Sequence, residues 1–316
     1  MELLKKINLI FIFPLFFIFS LYFLFILYSF SLYFFINFII QILFYGFTPV
    51  FFHIFGVIMS FKRVALTVIG GVGYDNMSLS DAQTIQTKHG SVEVHVLNFE
   101  SMDVALISRH QGKRHVPPHK VNYKALIAAA QKIKAPVLAL NSVGSMKPEL
   151  SAGHFFVPND FIDMTKTREE TFFDKKTVHV DMSDPYCRHI RKVLTTLLSG
   201  KKIPFSEGVY VCTEGPRFET KAEIRMYAQF SDVVGMTGVP EVVLAKEAGL
   251  CYASLCLITN PAAGLCADVL TIDDVQKAVE ERQSEIFDIL LSLAKSLKVN
   301  SEHDCFCRKS VQNSEI

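Results

Sequence analysis

The pattern of apolar and polar positions changes character once along the chain, close to residue 60. Between residues 7 and 61 there is no Asp, Glu, Lys or Arg, a run more than twice the ~20 apolar residues that a bilayer-spanning helix needs. Beyond it, short apolar runs alternate with amphipathic stretches, as strands alternating with helices require. Strands are predicted over residues 63–69, 91–98, 104–108, 137–141, 208–213, 233–236 and 252–259. An Ala- and Lys-rich helix is predicted over 122–134, and another between Pro240 at a first helical position and Gly249 at the far end. A last helix starts at Thr271, with Asp274 as its capping partner and Val275, Val279, Ile286, Ile289, Leu290, Leu293 and Leu297 as its apolar face. This alternation predicts an α/β fold: a single domain with a central mixed β-sheet flanked by helices.

Composition divides the chain the same way. Of the 28 Phe, 16 lie in the first 58 residues, and no water-soluble domain is built like that. Two readings of residues 1–58 stand side by side. Lys5 and Lys6 before the run and Lys62 and Arg63 after it suit a two-span membrane hairpin with both ends in the cytoplasm. Alternatively, translation starts at Met59, and the upstream stretch is non-coding sequence read in frame. A secretory signal peptide fits poorly with the length of the run and the lack of a small-residue cleavage site. Residues 59–298 are enough for one sizeable domain, and residues 299–316 are expected to form a polar, disordered tail. A net charge of +1 with no basic stripe argues against nucleic acid as a partner.

The seven Cys are scattered and odd in number, reading as buried reduced thiols in a cytoplasmic protein. Cys305 and Cys307 stand two apart with His303 nearby, but no second pair follows at ligand spacing, so no metal is expected.

Candidate chemistry gathers at predicted strand ends, where ligands bind in open α/β sheets. The turn Gly70-Gly71-Val72-Gly73 fails the dinucleotide fingerprint, because Asn76 stands where the third Gly belongs. A turn approaching an anion and a plain tight turn both remain open. Arg109 and His110 end a strand and open a basic loop holding Lys113, Arg114, His115 and His119. That loop reads either as a solvated face or as a phosphate site, since guanidinium offers a planar fork to phosphate oxygens. The next strand ends in Asn141, Ser142, Val143, Gly144 and Ser145, which bring hydroxyl and backbone N–H groups towards the same anion. In GPRFETKAE, Phe218 offers a stacking face and Glu219 a carboxylate just before a helix; in VGMTGVPE, Met236 offers an apolar surface and Thr237 a hydroxyl; ITNPAAG brings Asn260 to a strand end. Each has a structural alternative, namely a charged first turn, an N-cap and an Asn-Pro turn. Their joint order is what carries the functional reading.

These stretches, with SRH, PPHKVNY, LNSVGS and SAGHFFVPNDFID, resemble the trimeric purine nucleoside phosphorylase and methylthioadenosine phosphorylase family over residues 63–297. The resemblance implies phosphorolysis of an N-glycosidic bond, with inorganic phosphate as co-substrate, no cofactor and a homotrimer. It implies phosphate contacts from Arg109, His110, Ser142, Thr237 and the turn of Gly71 and Val72. It implies nucleoside contacts from Phe218, Met236, Asn141, Val143, Gly144 and Ala262, with His179 reaching across the trimer. Glu219 and Asn260 are the implied catalytic pair, reading the purine edge. Family members that prefer adenine-type bases have a small hydroxyl residue in place of Glu219 and Asp in place of Asn260. An ionised Glu219 is acceptor-only and suits the N1–H of a 6-oxopurine.

Val269, Leu270 and Ile272 stand where a reader of a 5′-hydroxyl is expected, so S-methyl-5′-thioinosine is the expected substrate, with inosine, guanosine or methylthioadenosine as alternatives. Val72 replaces a usual Thr or Ser, removing a contact worth ~1 kcal/mol, and Arg114 stands where a His is common. Two rival classes are a membrane-tethered nucleoside-binding protein without catalysis and a nucleosidase using water.

Overall fold

The computed structural model describes residues 64–71, 82–99, 102–111, 115–265, 271–299 and 305–311. The readings of residues 1–58, Val72, Lys113, Arg114, Val269 and Leu270 lie outside them. Among the described residues, no helix is long and apolar enough to cross a membrane.

Among the described residues, nine strands form one mixed sheet: β1 (Val64–Gly70), β2 (Ala82–Thr87), β3 (Gly90–Asn98), β4 (Asp103–Ser108), β5 (Val137–Ser145), β6 (Phe155–Met164), β7 (Phe205–Thr213), β8 (Val233–Gly235) and β9 (Tyr252–Pro261). Their order is β2-β3-β4-β1-β5-β8-β7-β6-β9, and β9 also pairs with β5. Strands β5, β8, β7, β6 and β9 therefore close into a ring, while β2, β3, β4 and β1 extend as an open wing. The helices among the described residues are α1 (Tyr123–Ile133), α2 (Arg188–Gly200), α3 (Lys221–Tyr227), α4 (Gly238–Glu247) and α5 (Ile272–Val299).

The core lies in two main layers. Leu66, Val68, Leu138 and Leu255 pack with α2 and the apolar stripe of α5, including Val279, Ile286, Leu290 and Leu293. Ile69, Val137, Ala139 and Ile258 pack against α1 and α4 through residues such as Leu126, Ala130, Val242 and Ala245. The sequence predicted α1 from its Ala- and Lys-rich composition, α4 from the Pro240 and Gly249 that bracket it, and α5 from its periodic apolar face. Their caps also match: the Asn122 side chain accepts from Ala125 N, and Thr271 Oγ1 from Asp274 N.

Three elements escape the sequence pattern. In β2 only Ile85 is buried, leaving a polar edge strand. β6 carries Pro158, Asn159, Asp160 and Asp163, with a register shift between Pro158 and Asp160, and reads as a loop. α2 buries only Ile190, Leu194 and Leu198.

Two expectations need correction. β5 runs on to Ser145 rather than stopping at Asn141, with paired register to β9 through that residue. The tail is not disordered throughout: Phe306–Lys309 form a short 3-10 turn with Cys305 and Cys307 buried beside it.

Candidate active site

Parallel register brings the candidate residues together. Gly70 pairs with Ser108 of β4 on one side and Leu140 of β5 on the other. The residues that follow, Gly71, Arg109 and then Asn141 with Ser142, therefore share one corner. Farther along, Gly144 faces Asn260 of β9 and Val234 of β8, and Cys212 of β7 faces Gly235 of β8. Thr213, Met236 and Thr237 follow from that pairing. The strand ends surround a cavity of about 500 Å³, a volume typical of small-ligand sites.

Gly71, Arg109, His110, Ser142, Val143, Gly144, Phe218, Glu219, Met236, Thr237, Asn260 and Ala262 all line this cavity. Asn141 and His179 do not. The expected nucleoside contact of Asn141 is corrected: it is buried, donating from Nδ2 to Ser254 Oγ at 2.6 Å and accepting from Thr237 Oγ1 at 3.0 Å. It positions Thr237 instead. His179 is exposed, in the segment between β6 and α2.

Arg109 also differs from expectation. Its fork grips a residue of the protein: Nε and Nη2 donate to Glu241 at 2.8 and 2.9 Å, Nη1 to Leu140 O at 3.0 Å and Nη2 to Ile69 O at 3.3 Å. Of the five N–H groups of a guanidinium, these contacts occupy four, leaving one on Nη1. That atom points towards Gly71, where an added Cβ would meet it at 2.9 Å. Burial alone would lower the Arg109 pKa, but the Glu241 carboxylate outweighs it and holds the guanidinium firmly charged. A buried cation with one spare donor thus stands behind the glycine turn.

The neighbouring groups complete an anion corner. His110 Nδ1 lies 2.7 Å from Val116 O; a carbonyl only accepts, so Nδ1 carries the proton and Nε2 lies on the Gly71 side. The Ser142 hydroxyl is buried and has no hydrogen-bond partner, a costly arrangement in a lone chain. A ligand oxygen in the cavity would satisfy it. Thr237 opens α4, and its N–H and that of Gly238 donate to Tyr210 OH at 3.3 and 3.2 Å. Because Arg109 is locked by Glu241, Gly71→Ala cannot be absorbed by side-chain movement. The KM for phosphate is expected to rise about 10- to 100-fold in initial-rate assays; an unchanged KM would remove Gly71 from the anion corner.

Across the cavity, Glu219 accepts from Thr213 Oγ1 at 2.6 Å. Burial raises its pKa and the Thr213 hydrogen bond only partly offsets the shift. Its loop is held by the capping box of α3, formed by Thr220 and Glu223, with Arg217 bridging to Glu223 at 2.7 Å. Phe218 sits at the rim, 40% exposed. Asn260 Oδ1 accepts from Thr259 Oγ1 at 2.8 Å and Nδ2 donates to Pro261 O at 2.9 Å, leaving one amide N–H for a ligand. Gly144 makes room, since a Cβ there would lie 3.4 Å from Asn260 Nδ2 and 3.3 Å from Val234. Gly215, at φ +66°, admits Met236, whose sulfur would stand 2.7 Å from a Cβ at that position.

Sequence reasoning missed several functional neighbours. Glu241 fixes Arg109 and also accepts from Tyr252 OH at 2.8 Å; its place in a helix start gave no sign of this. Arg168 donates to the carbonyls of Thr213 and Glu214 at 3.2 and 2.7 Å and to Val239 O, and lies over the Tyr123 ring. It ties the loop after β7 to the start of α4. Gln276 of α5 lines the cavity beside Ile272 and Val275, so the expected apolar wall carries one amide.

Comparison with known proteins gives a consistent picture. The Phosphorylase superfamily profile matches residues 65–295. A probable S-methyl-5′-thioinosine phosphorylase of Methanocaldococcus jannaschii is 46% identical over 255 residues, covering 79% of this chain and 98% of that protein. The 6-oxopurine nucleoside phosphorylase of Pyrococcus furiosus is 38% identical over 263 residues, covering 79% and 98%. Among solved structures, methylthioadenosine phosphorylase from Schistosoma mansoni in complex with adenine superposes with a TM-score of 0.71 at 27% identity, covering 80% of this chain and 99% of that one.

Proposed function

The chain belongs to the Phosphorylase superfamily, and from that premise we propose that it splits 6-oxopurine nucleosides with phosphate, S-methyl-5′-thioinosine first among them. The observation that carries this reading is one cavity lined both by the anion corner of Gly71, Arg109 and the unpartnered Ser142 hydroxyl and by the Glu219 and Asn260 pair. Phosphate attacks C1′ of the sugar as the bond from C1′ to purine N9 breaks. The products are free hypoxanthine and 5-methylthioribose 1-phosphate, so the enzyme is a pentosyltransferase.

The chemistry follows from where charge develops. The sugar becomes oxocarbenium-like, and a phosphate dianion held by Arg109, His110, Ser142 and Thr237 stabilises it. The leaving purine gains negative charge, and the spare N–H of Asn260 is placed to donate to N7 or O6. Glu219 accepts from N1–H. Thr237 reaches the anion after its hydroxyl turns away from Asn141, to which it donates. His179 serves a neighbouring subunit of a trimer in this reading, from its exposed segment.

Phosphate dependence tests the proposal. Purified protein with methylthioinosine is expected to release hypoxanthine only when phosphate is present, with a sugar 1-phosphate appearing by phosphorus NMR. Release at the same rate without phosphate would make it a nucleosidase, and binding without release would make it a carrier.

Two variants probe the ends of the substrate. Asn260→Asp is expected to raise the ratio of methylthioadenosine to methylthioinosine turnover by roughly tenfold or more, because a carboxylate rejects O6 and accepts from a 6-amino group. An unaltered ratio would sink the role of Asn260 in base choice. Gln276→Leu is expected to lower kcat/KM for inosine about tenfold while sparing methylthioinosine, since only the 5′-hydroxyl loses a hydrogen-bond partner. Equal losses on both would place Gln276 away from the 5′ end.

A further inference from the structure

Four cysteines from three separate parts of the chain meet outside the active site. Cys187 caps the start of α2, Cys251 immediately precedes β9, and Cys305 and Cys307 flank Phe306 after α5. Their sulfur atoms all lie within 4.8 Å of one another. All four residues are buried, none more than 8% exposed. The sequence holds no second pair at ligand spacing because Cys187 and Cys251 are contributed singly, and only the fold joins them to Cys305 and Cys307.

The size of the cluster is informative. A tetrahedral four-thiolate centre with metal–sulfur bonds of about 2.3 Å has sulfur–sulfur edges of roughly 3.8 Å. Bonded disulfide sulfurs stand at about 2.05 Å. The Cys187 and Cys305 sulfurs are 3.6 Å apart, the separation of a metal shell rather than of a bond. Cys212 and Cys256, also buried, stand outside this cluster.

The frame around the sulfurs is built by other contacts. Cys187 N donates to Tyr252 O at 2.7 Å, tying the first cysteine to the residue after the second. Arg308 N donates to Cys305 O at 3.1 Å. Ser310 Oγ donates to Lys246 O at 2.5 Å, and Lys246 Nζ lies 5.7 Å from the centre of the Phe306 ring. The turn bearing Cys305 and Cys307 is thus seated on the end of α4 by groups other than its thiols. Four soft ligands in a closed, buried tetrahedron suit a d¹⁰ ion and leave no open position for chemistry.

We propose that Cys187, Cys251, Cys305 and Cys307 form a structural zinc site that fastens the C-terminal segment to the starts of α2 and β9. The site is independent of the nucleoside cavity and of the reading given to it. Zinc binding would release thiol protons and add its binding energy to the stability of the folded chain.

The full chain, produced with zinc in the medium and purified without chelator, is expected to carry one zinc per chain by elemental mass spectrometry. The double variant Cys305→Ser, Cys307→Ser is expected to retain less than about a tenth of that zinc and still release hypoxanthine. Should that variant not fold, wild-type protein serves instead. Titration of its thiols with a mercurial, read by a chromogenic chelator, is expected to free one zinc per four thiols. Cobalt loaded in place of zinc is expected to show the absorption of a tetrahedral tetrathiolate. Zinc below about a tenth of an equivalent in wild type would overturn the proposal. So would an intact mass lower by about 4 Da, the four hydrogens lost to two disulfides.

Discussion

Replacing Glu219 with Ala is expected to lower kcat/KM for methylthioinosine and inosine by about 10³-fold or more, while the thermal midpoint barely moves. The argument rests on what the carboxylate touches. Within the protein it accepts one hydrogen bond, from Thr213 Oγ1, whose loss costs ~1 kcal/mol. It also lines the cavity, where the proposed function has it accept from N1–H of a 6-oxopurine, and a desolvated base donor left unpaired is penalised far more heavily than a surface one. Parallel loss of fold and activity would make Glu219 structural.

The same residue predicts a pH signature. Burial raises the Glu219 pKa above the ordinary carboxylate range, so protonation begins at a higher pH than for an exposed acid. The protonated form presents a donor where the purine N1–H needs an acceptor. Turnover of oxopurine nucleosides should therefore fall as pH drops through that raised value, and Glu219→Gln should abolish this acid limb. An identical limb in the variant would assign it to another group.

The second large effect is expected at Glu241. Its side chain and that of Arg109 are both fully shielded from solvent. Glu241→Ala leaves a guanidinium buried without its counter-charge, which costs about 3–5 kcal/mol. Chemical denaturation should show that loss, and the KM for phosphate should rise because the one spare N–H of Arg109 is no longer aimed. Glu241→Gln should restore part of the positioning but not the charge, giving an intermediate value. If Glu241→Ala were as stable as the parent with the same phosphate KM, the buried pair would have no part in the anion corner.

How far the sequence reveals this site depends on how local each signal is. Asn260, Met236 and Thr237 drew attention because each stands at the end of an apolar strand, and Glu219 because it stands just before a helix beside Phe218. Glu241 was not, because its partner lies 132 residues away and an acid in a first helical turn has an ordinary explanation. Arg109 was found but its orientation was misread, since only the fold shows that its bidentate edge faces inward. Asn141 was misplaced for the opposite reason: β5 continues past it, turning an expected strand-end residue into a buried support. Among the elements, α1 announced itself through its Ala- and Lys-rich composition, α4 through its Pro and Gly ends, and α5 through its cap and periodic apolar face. β6 did not, because its polar outer residues and the irregular register at Pro158 erase the alternation. The cysteine cluster was hidden because two of its members stand alone in the sequence.

The central claim is that this cavity carries out phosphorolysis of 6-oxopurine nucleosides, and it is tested most directly by kcat/KM for methylthioinosine against methylthioadenosine in saturating phosphate. The Glu219 and Asn260 pair predicts a preference for methylthioinosine on the order of 10⁴. Equal turnover of the two, or a preference for methylthioadenosine, would contradict it.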